Sequence, residues 1–494
     1  MRSVENALGL EVPLNAQYIR NMMMGAHLIH DHIVHFYHLS ALDWVDIVSA
    51  LKADPKAAST LAQSLSDWHR NSAVEMKAAQ ARLQGLVDSG QLGVYATGYW
   101  GHPAMKLAPE VNLIAATHYL QALDYQREIN KVVAILGGKT PHIQNVAVGG
   151  VTNPINPDSQ STLSIEKLLH IKKLIDDVGA FVEKVYLVDL CAVGAFYADW
   201  AGHGKGVTNY LSVPDMPMDT KGTVFELPGG YIPGGDVSKF VPITSFNDET
   251  FKNGVKESIK HSWYDGDWDR HPWEGETVPK YGEFQDNGKY SWVKSPTFNG
   301  KPAQVGPLAN VLCMFAAGHQ PTVKYATLVL DTVSAIAKTK VGIDALHSTL
   351  GRLAARAVRC AALYDSLKNQ WTALMTNIGK GDTATFNQPV FPKGEQRGFG
   401  FHEAPRGTLS HWIVIQDGKI KNYQAVVPST WNAGPRNSQD ALGPYEASLI
   451  GTPVADPERP LEILRTIHSF DPCLACAIHL VDTNKNLIKK IKVL

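Results

Sequence analysis

The sequence has 494 residues, of which 44% are hydrophobic and 19% charged, and its formal net charge is −1. A chain of this length and hydrophobicity can bury a large core, while its balanced charge, without a clustered basic face, argues against a nucleic-acid partner. It has no run of about 18 apolar residues, so we expect no membrane-spanning helix, and residues 1–6 lack the basic and then apolar pattern of a secretory signal.

Long helices are predicted for much of the first part of the chain, where apolar residues recur at helical spacing. One of these runs begins at Pro109 and ends at Gly137-Gly138. Proline at the first helical position and glycine just past the last one are typical start and stop signals of a helix. Such lengths predict helices packed side by side in a large bundle. The runs with this spacing are 16–51, 61–87, 110–136 and 165–200.

The composition changes over residues 203–307, which are rich in glycine, proline, tryptophan and tyrosine. Paired glycines at 229–230 and 234–235 indicate turns. We therefore expect loops and short strands that wrap around the helical core. Helical spacing returns over 308–378, with interruptions near 318–321 and 338–342.

The clearest β pattern lies in the last fifth of the chain. Two β-rich segments, 411–415 and 420–427, flank Asp417-Gly418, which is a strong hairpin signal. A short helix is predicted from Pro460 to about Ser469. The expected fold is mainly α (α+β), a large helical bundle core with peripheral loops and short antiparallel strands, and no linker marks a domain boundary within 1–494.

Three of the five cysteines stand alone in apolar, helical segments. We interpret these three as small core residues, because an isolated thiol in an apolar helix usually packs as a hydrophobic side chain. They are Cys191, Cys313 and Cys360.

Cys473 and Cys476 form the one Cys-x-x-Cys pair in the sequence. Asp471 suits a helix N-cap and Pro472 the first helical position, so we predict a helix with both sulfurs on one face. Such a pair can bind a soft divalent metal, with His479 available either to bind a second metal or to hydrogen-bond a ligand of the first. Taken alone the pair is a weak signal, and redox or structural roles stay open.

Longer motifs around this pair resemble those of one family. Residues 465–479, which read RTIHSFDPCLACAIH, are similar to the C-terminal signature of nickel–iron hydrogenase large subunits. EAPRGTLSHW resembles the family's arginine-bearing loop and VVPSTWN its serine/threonine loop, at 403–412 and 426–432. HDHIVHFY at 30–37 and GGKTPH at 137–142 also match. The resemblance spans essentially the whole chain and is closest to the membrane-associated respiratory enzymes.

The resemblance implies the large-subunit fold and the reversible heterolytic cleavage of H2 at a nickel–iron centre with CO and cyanide on its iron. Cys473 would be a terminal nickel ligand and Cys476 a ligand that bridges nickel and iron. Arg406 would stand over the open coordination position, where a planar, permanently charged guanidinium suits the chemistry. Asp31 and Asp471 would keep Arg406 oriented.

Arg406 could instead be a structural arginine, but its setting between a proline and a glycine favours a held, functional loop. By the same resemblance, Ser429 or Thr430 would donate a hydrogen bond to a cyanide. Pro405 and Leu409 would line the apolar pocket of the diatomic ligands.

The family also binds Mg²⁺, which here implies His479 and the backbone carbonyl of Ala425 as ligands. Family members are made as precursors, so residues 480–494 resemble a C-terminal propeptide. A maturation endopeptidase would cut after His479 once chaperones have inserted nickel.

Five histidines crowd one predicted helix: His27, His30, His32, His35 and His38. A metal site is one interpretation of this pattern. We favour buried, hydrogen-bonded histidines on the active-site side, because a carboxylate cluster is absent.

The sequence departs from the family at its start. The family has a second Cys-x-x-Cys, which supplies the other two nickel ligands and lies shortly before the segment that matches residues 2–8. The sequence begins at Met1 and does not contain that pair. We therefore expect an N-terminally truncated sequence, and a truncated, inactive scaffold is the alternative to a catalytic subunit. A quinone-site relative from respiratory complex I is a weaker alternative, because those proteins lack the cysteines seen here at 473 and 476.

Electrons that leave a buried centre need iron–sulfur clusters, and this sequence has no cysteine spacing for one. An iron–sulfur small subunit is therefore implied as the partner. It would also hold the chain at the periplasmic face of the inner membrane, since the chain has no signal of its own.

Overall fold

The computed structural model describes residues 1–91 and 99–473, and the backbone of 477–481 and 487–492. Within these ranges the helices are α1 (Arg2–Leu8), α2 (Leu14–His38), α3 (Ile47–Ala50), α4 (Pro55–Leu65), α5 (Ala73–Ser89), α6 (Pro109–Gly137), α7 (Ile165–Phe181), α8 (Leu187–Phe196), α9 (Glu249–Gly254), α10 (Pro307–Ala316), α11 (Gln320–Ala337), α12 (Thr349–Gly379), α13 (Pro428–Ala433), α14 (Pro444–Leu449) and α15 (Leu461–His468).

The strands are short, except for three near the end of the chain. They are β1 (Val146–Ala147), β2 (Gly150–Val151), β3 (Tyr210–Ser212), β4 (Asp215–Pro217), β5 (Phe225–Leu227), β6 (Gly229–Ile232), β7 (Val241–Ile243), β8 (Val255–Ser258), β9 (Asp269–Arg270), β10 (Ser295–Phe298), β11 (Glu395–Ala404), β12 (Gly407–Gln416), β13 (Lys419–Val426), β14 (Ala477–Val481) and β15 (Leu487–Lys492). All paired strands among them are antiparallel.

The main hydrophobic core forms around two long helices, α2 and α12, which pack against each other. α2 also packs against α6, and α12 against α7, α8, α10 and α11. α12 begins where the Ser348 side chain accepts the backbone N–H of Gly351, and α6 begins at Pro109. α2 and α12 therefore lie side by side within the bundle.

Two of the predicted helical runs are shorter than expected. The run over 16–51 is wrong at its end, because Leu39 leaves helical geometry (φ −124°, ψ −70°) and ends α2. The run over 61–87 is broken after Ser66 turns extended, and a new helix starts where Ser72 caps α5. Neither break carries a glycine or proline. Ser72 followed three residues later by Glu75 is a capping-box signal for the start of α5, which the sequence analysis missed.

The other helical predictions are confirmed. α6 fills 110–136. α7 and α8, joined by a π-helical turn at Val182–Tyr186, cover the run predicted over 165–200 up to Phe196, and a 3-10 helix follows at Ala198–Gly202. α10, α11 and α12 occupy 308–378 with both expected interruptions, and α15 matches the short helix after Pro460. The loops and short strands between 203 and 307 are also as expected.

The last long element is a three-stranded meander of β11, β12 and β13. The predicted hairpin is β12–β13, whose turn contains Asp417 with φ 51° and Gly418 with φ 76°. Its partner strand β11 was not predicted. Aromatic rings from 251, 399 and 412 stack in a second, smaller hydrophobic cluster against this sheet.

Among the described residues, no helix combines the length and the hydrophobicity that crossing a membrane requires.

Candidate metal centre

A cavity of about 600 Å³ opens between the tip of the β11–β12 hairpin, the end of β13 and the start of α13. Its lining combines residues from the middle of the chain, between 257 and 294, with residues 404–430 and Cys473. Of the residues that the sequence predicted as functional, those that line it are Pro405, Arg406, Leu409, Ala425, Ser429, Thr430 and Cys473.

Arg406 sits at the tip of the hairpin, where the pairing of Ala404 with Gly407 leaves Pro405 and Arg406 as the connecting residues. Gly407 has φ 124°, and a Cβ there would lie 2.4 Å from the backbone nitrogen of Gly306. Only glycine fits this close approach. The tip is therefore held firmly against the loop that precedes α10.

Two carboxylates flank Arg406. Its Nε lies 3.1 Å from Oδ1 of Asp471, and its Nη1 lies 4.0 Å from Oδ2 of Asp31. The Asp471 side chain is 4% exposed and that of Asp31 17%, whereas Arg406 keeps 34% exposure toward the cavity. Burial opposes the charge of Arg406, but Asp471, Asp31 and Cys473 together raise its pKa.

The pKa of Asp471 is raised by burial, although Arg356 and Arg406 both act to lower it. For Asp31, burial also acts to raise the pKa, but the hydrogen bond from His30 and the charges around it bring the pKa below its ordinary value. Sequence analysis thus placed Arg406, Asp31 and Asp471 in one group, and the structure brings these three together.

Cys473 is exposed and faces the same cavity. The prediction that it lies in the first turn of a helix is wrong, because residues 471–473 are not helical and Asp471 has φ 62°. The Asp471 carboxylate pairs with arginines instead of capping a helix. Cys476 and the side chain of His479 lie outside the described residues, and His479 contributes backbone to β14.

The other three cysteines are unavailable to the cavity. Cys191 is 8% exposed, and Cys313 and Cys360 are 0% exposed, as expected for core residues. Burial raises the pKa of the Cys191 thiol to about 11 and raises those of the other two as well. Cys473 is therefore the described thiol that is placed to bind a metal.

Four of the five histidines of α2 fall into two groups, and the fifth, His38, hydrogen-bonds the backbone carbonyl of Tyr119 over 3.2 Å. His32 and His35 are fully enclosed, and burial lowers the pKa of each well below its ordinary value. His35 donates to the backbone carbonyl of His468 over 2.6 Å, so these two fit the expected buried, hydrogen-bonded class.

His27 and His30 are only partly buried and surround Asp31. His30 donates to Asp31 over 2.9 Å, and Nε2 of His27 lies 3.6 Å from the same carboxylate. One ligand atom from each of the three lies within 4.8 Å of the others, which is close enough to hold a metal ion. The simpler interpretation is that the imidazoles orient Asp31 toward Arg406.

Sequence analysis missed two buried arginines of α12, of which Arg356 contacts Asp471. Arg356 and Arg359 are 0% exposed and reach the carbonyls of residues 403–405. The available signal was the spacing of charged residues at 352, 356 and 359 within residues 349–363 of α12, a segment with no other charged residue. Full burial of a charge requires partners.

Comparison with known proteins agrees with this geometry. The family model described as nickel-dependent hydrogenase matches residues 1–479. The Hydrogenase-2 large chain of Escherichia coli K12 is 58% identical over 495 residues, covering 100% of this chain and 87% of the relative. The Uptake hydrogenase large subunit of Bradyrhizobium diazoefficiens is 44% identical over 520 residues, covering 100% and 85%.

Among solved structures, the NiFeSe hydrogenase of Desulfovibrio vulgaris Hildenborough superposes with a TM-score of 0.72 at 26% identity, covering 95% of this chain and 83% of that one. These matches support a catalytic subunit over a non-catalytic scaffold. The chain belongs to the nickel-dependent hydrogenase family and is a large, catalytic subunit of a nickel–iron hydrogenase, an oxidoreductase that acts on H2.

Proposed function

We propose that Cys473 and Cys476 hold nickel at the cavity and that Arg406 stands over the position where H2 reacts. Family membership implies a nickel–iron centre and a small partner subunit. The observation that carries the proposal is the convergence of Arg406, Asp31, Asp471 and Cys473 on one place, although they are far apart in the sequence.

The described residues fit one side of such a centre. A thiol exposed to a cavity and close to a guanidinium suits a soft metal, because the thiolate is the ligand and a nearby cation favours it. The remaining cysteines outside the pair are buried in the core. The cavity also has room for small ligands on the metal, since it measures about 600 Å³.

When bound, the centre supplies the heterolytic cleavage of H2, with CO and cyanide on its iron. The role of Arg406 is electrostatic: a fixed positive charge with several N–H donors can polarise H2 and donate to a cyanide without reorganising. Asp471 and Asp31 hold that guanidinium in one orientation.

The remaining cavity residues shape the site around the diatomic ligands. The proposed roles are a hydrogen bond to cyanide from Ser429 or Thr430, at the first turn of α13, and an apolar wall from Pro405 and Leu409. Ala425 is exposed at the end of β13 and lines the cavity. Its carbonyl and His479 would bind Mg²⁺.

The proposal extends to the partners. An iron–sulfur small subunit would receive the electrons and hold the chain at the periplasmic face of the inner membrane, as expected from the resemblance to membrane-associated respiratory enzymes. Nickel-insertion chaperones and an endopeptidase that cuts after His479 would complete maturation.

Replacing Cys473 tests the proposal directly. We expect Cys473→Ser to remove most of the bound nickel and all H2-dependent dye reduction, because a serine hydroxyl is a poor ligand for a soft metal. Cys191→Ser, at a cysteine outside the cavity, is the matched control and should keep both. The measurement is nickel content and turnover of the purified complex. Full nickel occupancy in Cys473→Ser would rule out the proposed ligand.

A further inference from the structure

A row of three arginines runs along one face of α12, at positions 352, 356 and 359. Their exposures are 3%, 0% and 0%. Burying a guanidinium is costly unless its charge and donors find partners. The partners of each arginine therefore show which part of the molecule it holds in place.

The outer two arginines each hold one segment. Arg352 donates to Ser469 over 2.7 Å and stacks 3.8 Å from the centre of the Phe470 ring, so it holds the end of α15. Arg359 donates to the carbonyls of Glu403 and Ala404 over 2.8 Å and 3.0 Å, so it holds the end of β11.

Arg356 lies between them and contacts both segments. Its Nη1 donates to the carbonyl of Pro405 over 3.1 Å and to Nδ1 of His32 over 3.0 Å. The same nitrogen lies 3.1 Å from Oδ2 of Asp471. One buried nitrogen thus joins α2, the hairpin tip and the chain just before Cys473.

This position has a specific consequence for Arg406. The carboxylate of Asp471 is held from two sides, by Arg356 at Oδ2 and by Arg406 at Oδ1, both at 3.1 Å. The Pro405 carbonyl held by Arg356 belongs to the peptide that leads into Arg406. A single guanidinium therefore fixes both the backbone that carries Arg406 and the carboxylate against which it rests.

We propose that Arg356 is a positioning residue for the reaction, and that it acts by fixing the orientation of Arg406 through Asp471 and Pro405. The inference rests on the proposed role of Arg406. The competing explanation is that Arg356 only stabilises the fold.

Arg359 distinguishes these two explanations. Like Arg356, it lies on α12, is fully buried and binds backbone carbonyls of the β11–β12 hairpin. Its guanidinium donates to two carbonyls of the same strand end, those of residues 403 and 404. A loss of stability should follow replacement of either arginine. A loss of Arg406 orientation should follow only from replacement of Arg356.

The experiment is a double-mutant cycle on the nickel-loaded complex with its small subunit. The variants are Arg356→Gln and Arg359→Gln, each alone and combined with Arg406→Lys. We measure turnover per bound nickel, the thermal midpoint, and the infrared stretches of the cyanide ligands. A cycle isolates coupling because independent effects multiply and coupled effects do not.

We expect Arg356→Gln to lower turnover per nickel by about ten- to a hundredfold, as for a displaced catalytic group. In the Arg406→Lys background the further loss should be about twofold or less, because the group it positions is already gone. Arg359→Gln should lower the thermal midpoint while turnover per nickel stays within about twofold of wild type. The cyanide stretches should shift in Arg356→Gln and stay unchanged in Arg359→Gln.

Equal losses of turnover in Arg356→Gln and Arg359→Gln, or a full multiplicative loss in the Arg406→Lys background, would overturn the role of Arg356 alone. Wild-type turnover in Arg406→Lys would instead overturn the proposed function of Arg406, and this inference with it. If the glutamine variants do not accumulate, lysine variants at both positions give the same contrast. Lysine keeps the charge but cannot reproduce the forked donors.

Discussion

The surroundings of Glu403 raise the pKa of its carboxyl group. Its side chain is fully buried at the end of β11, where it accepts from the Thr408 hydroxyl and from the backbone N–H of Val213. Burial raises the pKa of Glu403 to about 7, although Arg359 acts in the opposite direction. The residue therefore takes up a proton within the physiological pH range.

The sign of the resulting pH dependence follows from linkage. Because the folded state binds this proton more tightly than the unfolded chain, the stability that it contributes is complete below the ordinary pKa of 4.5 and is lost as pH rises to about 7. We expect Glu403→Gln to flatten the fall in thermal midpoint across this window, since glutamine keeps an acceptor but does not titrate.

The control is Glu395→Gln, on the exposed end of the same strand. It should leave the slope between pH 4.5 and pH 7 as in wild type. A Glu403→Gln protein whose midpoint falls as steeply as wild type over that window would show that another group titrates there.

At this scale the sequence predicted residues that belong to motifs and missed those that do not. Arg406, Asp31 and Asp471 were found through family motifs, and they lie together. Arg356 belongs to no motif. A charged residue in a long helix is ordinarily expected on the solvated face. The spacing of the arginines at 352, 356 and 359 was the one sign of their burial, and it does not identify the segments that pack on α12.

Among the elements, the β11–β12 hairpin positions Arg406, and its geometry depends on one glycine. Gly407 combines φ 124° with a backbone neighbour 2.4 Å from where a Cβ would lie. Gly418, in the next turn, has φ 76° but its nearest neighbour would be 3.9 Å away. Comparing the two glycines separates two contributions to the free energy of unfolding. A Cβ at Gly418 adds only the strain of a positive φ, whereas a Cβ at Gly407 adds the same strain and a steric clash.

We expect Gly418→Ala to cost about 1–2 kcal/mol, the strain of a left-handed alanine. Gly407→Ala should cost more, by about 1–3 kcal/mol, because the hairpin tip must also move away from Gly306. Thermal midpoints of the two variants give the comparison, and Gly407→Ala should also lower turnover. Equal midpoints would mean that the tip relaxes freely and does not hold Arg406.

Local signals predicted some elements and misjudged others for identifiable reasons. The β12–β13 hairpin was found because Asp417-Gly418 suits a tight turn. The β11–β12 hairpin was missed because its turn is Pro405-Arg406, which carries no such signal and is held by tertiary contacts. The described residues 471–473 do not begin the expected helix: Asp471 has φ 62°, and its carboxylate pairs with two arginines.

Across the whole molecule, the site lies where the helical core meets the sheet. α2 supplies Asp31, α12 supplies Arg356, the sheet supplies Arg406 and the chain after α15 supplies Cys473. The periodicity of apolar residues could predict the bundle, because the spacing that marks a helix is visible within a short stretch of sequence. It could not bring together residues separated by hundreds of positions, and only the family motifs did so.

The nickel position in the assembled enzyme tests the central claim most directly. Anomalous diffraction at the nickel absorption edge, from crystals of the complex with its small subunit, would locate the metal without reference to activity. We predict a nickel peak within bonding distance of the Cys473 sulfur, on the side of the cavity that Arg406 faces. A nickel peak elsewhere, for example between His27, His30 and Asp31, with none at Cys473, would contradict the account.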